Sequence, residues 1–137
     1  MVGLQNMNMV KNLSNVETWI MDVLPQRVPE NSKGQYFRIE QYYLGKKRIG
    51  IIRQKQVDVI LKLNCYMDIF IDGMGDNPDP EVIAKVIQKQ RLNIQIGNTI
   101  LVTDPDDTHM TLYNPDQELL ELISTISMVE GLFVWKT

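Results

Sequence analysis

Punctuation in the second half of the chain constrains its fold more than any other feature. Asp79-Pro80-Glu81 reads as a helix start. Aspartate accepts from a free first-turn amide, proline is pre-set for the first turn, and glutamate complements the positive end of the dipole. Val82, Ile83, Val86 and Ile87 give this helix an apolar stripe, and it is expected to end near Arg91. Gly97-Asn98 lies between two β-branched runs and predicts a two-residue hairpin joining strands 92–96 and 99–103. A third strand is expected at 110–113. Asn114-Pro115 then predicts the last helix, with Asn114 as its cap and Gln117 completing a box-like pair. Gly131 is the expected left-handed stop, followed by a buried strand at 132–135.

The first half carries weaker signals. Ser14 and Glu17 make a capping-box spacing, and Val16, Trp19, Ile20 and Val23 recur at helical intervals, so a helix is expected from Ser14 to Pro25. Residues 36–44 (YFRIEQYYL) are aromatic-rich and alternate at first, which predicts a strand. Residues 46–63 fit both periods, and their length and their Gln, Lys and Arg content favour helix. Residues 67–72 alternate as a strand, and Gly73 and Gly75 form a tight turn. The resulting order is α-β-α-β-α-β-β-β-α-β: one α+β domain with four helices and a mixed sheet of about six strands. Residues 1–12 are expected to be a loosely ordered N-terminal segment.

A chain of 137 residues with 44% hydrophobic content can bury a sufficient core without disulfides or metal. Its single cysteine, Cys65, excludes an internal disulfide and reads as a small core residue. Met21, Met67 and Met128 read as core filler. The start lacks the apolar core of a secretory signal, and no run is long enough to cross a membrane. A cytoplasmic protein without a cofactor is expected.

Charge is divided along the chain. Residues 26–62 hold nine Lys or Arg against three acids, whereas residues 63–137 hold four against twelve. A polarised chain can present faces of opposite sign to a charged partner. The acidic excess gathers at Asp72, Asp76 and Asp79 after one strand and at Asp104, Asp106 and Asp107 after another, with His109 close behind. The same residues are also ordinary turn and cap formers. The two loops meet at one edge only if their strands run parallel.

Three functions follow. The favoured one is an interaction protein of the inhibitor or immunity type, docking a charged macromolecular partner through Asp72, Asp76, Asp104, Asp106, Asp107 and His109. A metal-assisted hydrolase using Asp72, Asp104, Asp106, Asp107 and His109 is the enzymatic alternative, although no calcium-loop spacing is present. The third is nucleic-acid binding through residues 36–55, where Tyr36, Arg38, Tyr42, Tyr43, Lys46, Lys47 and Arg48 mix stacking with positive charge. That segment lacks an RNA-binding signature, and the pI of about 5.1 argues against it. No serine elbow or phosphate-loop lysine points to catalysis, so a non-enzymatic role is expected. Self-association is expected if residues 36–44 form an edge strand.

Overall fold

The computed structural model describes residues 16–32, 34–45 and 47–137. Its strands are β1 (Thr18–Asp22), β2 (Phe70–Ile71), β3 (Gly75–Asp76), β4 (Leu92–Ile96), β5 (Thr99–Thr103), β6 (Met110–Tyr113) and β7 (Phe133–Lys136). Its helices are α1 (Gln35–Tyr43), α2 (Arg48–Asn64), α3 (Pro80–Val86) and α4 (Gln117–Val129). The fold is α+β, built on one seven-stranded sheet of order β3-β2-β4-β5-β6-β1-β7. Every described pairing is antiparallel, where a mixed sheet of about six strands was expected. No described helix is long and apolar enough to cross a membrane. The expected N-terminal segment 1–12 and the capping role of Ser14 lie outside the described residues.

One face of the sheet carries the core. Met21, Ile71, Ile94, Leu101, Met110 and Leu112 alternate onto it and pack against Val59, Ile60 and Leu63 of α2, Ile83 of α3, and Leu119 and Ile123 of α4. Burying each such aliphatic side chain stabilises by about 1.5–3 kcal/mol before entropy is charged against it. The opposite face carries Ile20 and Asp22 of β1, paired with Trp135 and Phe133 of β7.

The punctuation reading holds for the second half, with shifted boundaries. Asp79 accepts from the Glu81 amide at 2.9 Å, as a cap should. The helix it opens closes at Val86 rather than near Arg91. Gly97 takes φ 58 between β4 and β5 as the hairpin requires, and Gly131 takes φ 77 after α4. The last helix is capped two residues later than expected. Asp116, not Asn114, accepts from the Leu119 amide at 2.8 Å. Asn114 instead adopts φ 60, and its amide donates to the Glu17 carbonyl. The final strand is half-exposed rather than buried.

The first half is corrected at two elements. Residues 18–22 form a strand where a helix was expected, because β6 and β7 supply hydrogen-bonding partners on both sides. Trp19 and Met21 then point to one face, and Ile20 and Asp22 to the other. Residues 35–43 form a helix where a strand was expected. The Tyr36 hydroxyl donates to Glu40 one turn on, at 2.9 Å, a contact only helical spacing allows. The edges of the sheet are therefore β3 and β7, so residues 36–44 do not supply an edge strand for self-pairing. Two smaller expectations also change. Cys65 is exposed, donating to the Leu61 carbonyl, and Met128 is exposed rather than core filler.

Candidate partner-binding site

The acidic turn after β5 is held from beneath by Arg53. Its side chain is 1% exposed, although it sits in the basic segment 36–55 considered for nucleic-acid binding. One guanidinium nitrogen donates to the carbonyls of Asp104 and Asp107 at 2.9 and 2.6 Å. The other donates to Gln56 at 2.8 Å. Burial pushes the guanidinium down from its usual value, and the charges of Asp104, Asp107 and Asp106 pull the other way. The turn completes itself locally: the Asp104 carboxylate accepts from the Asp106 amide, and the Asp107 amide donates to the Asp104 carbonyl. Arg53 thus spends its donors on the turn's backbone and on Gln56, and the three carboxylates form no ion pair with any described Lys or Arg.

The second acidic loop has its own brace. Asn77, at φ 43, accepts from the Ile69 amide at 3.0 Å and from Asn64 at 2.9 Å, and donates to Asp68 at 3.1 Å. Gly73 and Gly75 take φ 83 and 95 within the same loop. Asp72, Asp76 and Asp79 are exposed along it. Both β2 and β5 pair antiparallel with β4, so they run in the same direction and their loops leave the same end of the sheet. Two strand spacings, roughly 10 Å, separate the loops laterally. Among the described residues no three His, Cys, Asp or Glu side chains come together to hold a metal ion, and the hydrolase alternative finds no ligand set there.

His109 belongs to a different grouping. Met21 pairs with Met110, so Asp22 and His109 stand opposite each other one step beyond that pair, on the face away from the core. They line an open cavity of about 340 Å³ with Ile20 and Trp135, roofed by the loop 26–32 and by Tyr36 and Phe37 of α1. The Trp135 indole is fixed by donating to the Leu24 carbonyl at 3.1 Å. Tyr36 and Phe37 meet edge to face with centroids 5.6 Å apart.

Asp22 is 6% exposed. Desolvation raises its carboxyl above the ordinary range, while the backbone amides of Val23 and Leu24 and the charge of His109 oppose the shift. The Tyr36 hydroxyl is pushed up to about 12 by burial, by its bond to Glu40, and by the charges of Glu40, Asp22 and Asp107. The cavity, the Asp22 carboxylate and the acidic turn therefore share one electrostatic neighbourhood. Asp22 and Asn77 were not among the candidate residues of the sequence, and Arg53 was considered only within the nucleic-acid segment 36–55. Asp22 was hidden by the helix expectation, and buried braces leave no local pattern.

The aromatic-basic residues lie on α1 and the start of α2. Phe37, Ile39, Tyr42 and Tyr43 are exposed, and no residue of α1 is buried. Arg38 and Lys47 are exposed, whereas the Arg48 guanidinium stacks 3.8 Å above the Tyr42 ring and donates to the Tyr42 carbonyl. Arg48 and Tyr42 thus occupy each other, and Tyr36 is engaged by Glu40. Lys46 lies outside the described residues. Comparison of the chain with protein-family models, with curated proteins and with solved structures finds no match to any of them.

Proposed function

We propose that the protein is an interaction protein, of the inhibitor or immunity type, that docks a positively charged macromolecular partner through the face formed by the turn 104–107 and the adjoining cavity. One observation supports this reading: Arg53 is buried beneath the turn and bound to its carbonyls, so the turn is braced while its carboxylates form no ion pair with any described Lys or Arg. Pre-ordering the acidic groups lowers the entropic cost of association, and their field speeds encounter with a basic surface. Phe37, exposed and lining the adjoining cavity, supplies the apolar contact that charge alone does not. Asp72, which follows β2, lies at the same end of the sheet and extends the acidic rim, whereas Asp76 pairs with Phe70 further from that end.

The test is retention from native lysate by immobilised protein at low and high salt, with the variant D104N/D106N/D107N in parallel. A specific protein retained by the native chain, released by salt and lost by the variant is expected. Retention of the same proteins by both chains at low salt would count against the reading.

A further inference from the structure

We infer that the cavity under the loop 26–32 is an anchor pocket for one arginine side chain of the partner, its guanidinium seated against Asp22 between the rings of Tyr36, Phe37 and Trp135. This rests on the docking reading above and adds to it the chemistry of the central contact.

The argument starts from Asp22. Buried carboxylates are normally paired with a cation, because removing the charge from water is costly. Asp22 accepts from the Val23 amide at 2.7 Å, yet it forms no ion pair with any described residue. It is not sealed in the core either, since it lines an open cavity. A carboxylate held in that position is stabilised by whatever cation enters.

The walls select the kind of cation. Three aromatic side chains line a space of about 340 Å³, within the range of ordinary ligand sites. A guanidinium is planar and weakly hydrated, so it stacks on such rings and tolerates burial better than an ammonium. The charges facing the site agree in sign. Asp22 from β1, Glu30 from the loop, Glu40 from α1 and Asp107 from the turn oppose Arg27 on the loop and His109 before β6. Arg27 is exposed at the rim, and Arg53 is already bound to carbonyls behind the turn. Among the described residues carboxylates therefore outnumber free cations, which suits a basic side chain and disfavours an anion. Asp22, 6% exposed, gives the pocket a buried floor that the less buried carboxylates of the turn do not.

The experiment is a titration of the isotope-labelled full chain, followed by amide and indole NMR shifts. The probes are N-acetyl-arginine N-methylamide, its neutral citrulline counterpart, and a short oligolysine peptide. Arginine is expected to shift the Trp135 indole and the Val23 and Leu24 amides saturably, with citrulline at least about tenfold weaker. Asp22→Asn, which still accepts from the Val23 amide, should remove the difference between the two probes. Phe37→Ala, at an exposed position, should weaken arginine several-fold with the fold intact. Equal binding of arginine and citrulline, or an undiminished response in both variants, overturns the pocket. Oligolysine shifting the turn 104–107 while arginine leaves Asp22 and Trp135 unmoved overturns the pocket but leaves the docking reading standing. No response to any probe sinks both.

Discussion

The Arg53 guanidinium donates to the Asp107 carbonyl at 2.6 Å, although the two residues stand 54 positions apart in the chain. This contact joins the segment richest in positive charge to the loop densest in negative charge. It does so through backbone, and the carboxylates of the turn form no ion pair with any described Lys or Arg.

Arg53→Ala should destabilise the protein by about 2–4 kcal/mol, because it strands the buried carbonyls of Asp104 and Asp107 together with Gln56. Arg53→Lys should lie between the two, since one ammonium cannot span the same fork. Urea unfolding of the three proteins measures the series. An Ala variant as stable as the native chain would show that the turn does not depend on its brace.

Asp22→Asn should make the protein more stable at pH 7, by an amount on the order of 1 kcal/mol typical of stabilising substitutions. The carboxyl of Asp22 is raised above its ordinary 3.8 in the folded state. The folded state therefore binds that proton more tightly than the unfolded state does. Stability from this group is full below pH 3.8 and is lost as pH rises through the folded value. The advantage of the variant should shrink as pH falls towards 3.8, which thermal melts at a series of pH values will show. An advantage independent of pH would assign the effect to something other than ionisation.

Tyr36 should titrate late, with a midpoint of about 12. Its folded value lies above the ordinary 10.0, so its contribution to stability is present below pH 10 and lost as pH rises towards 12. Tyrosinate absorbance should show one late component that disappears in Tyr36→Phe and moves earlier in Glu40→Gln. A late component that survives in Tyr36→Phe would belong to another residue.

Asn77→Ala should cost about 2–3 kcal/mol, since it removes the bonds to Ile69, Asn64 and Asp68 and places a Cβ residue without side-chain support at φ 43. Asn77→Gly relieves the backbone but not the lost bonds, so it should cost less. Hydrogen exchange at the Ile69 amide reads the brace directly, and faster exchange is expected in both variants.

Much of the α+β architecture was legible wherever local chemistry and tertiary pairing agreed. Asp79-Pro80, Gly97-Asn98 and Gly131 need only their own neighbours to define a cap, a hairpin and a stop. Residues 18–22 and 35–43 were read the wrong way round for a physical reason. An isolated TWIMD segment has no ladder partner, so its strand state is stabilised only once β6 and β7 flank it. In α1 the aromatic content suggested a pleated surface, but none of those rings is buried, and the Tyr36–Glu40 bond favours the helix.

The candidate site divides along the same line. The acidic residues and His109 could be named from the chain because charge is a property of each residue. Their grouping could not. The two acidic loops share an end of the sheet because β2 and β5 both pair antiparallel with β4. His109 left the acidic cluster for Asp22 because the β1–β6 register sets them face to face. The sequence by itself determined the local punctuation, the helix over α2, the β4–β5–β6 meander and the excess of carboxylates. Only the tertiary structure decided which charges are spent and which remain free. Burial depends on strand partners and register between distant segments, and no local periodicity encodes them.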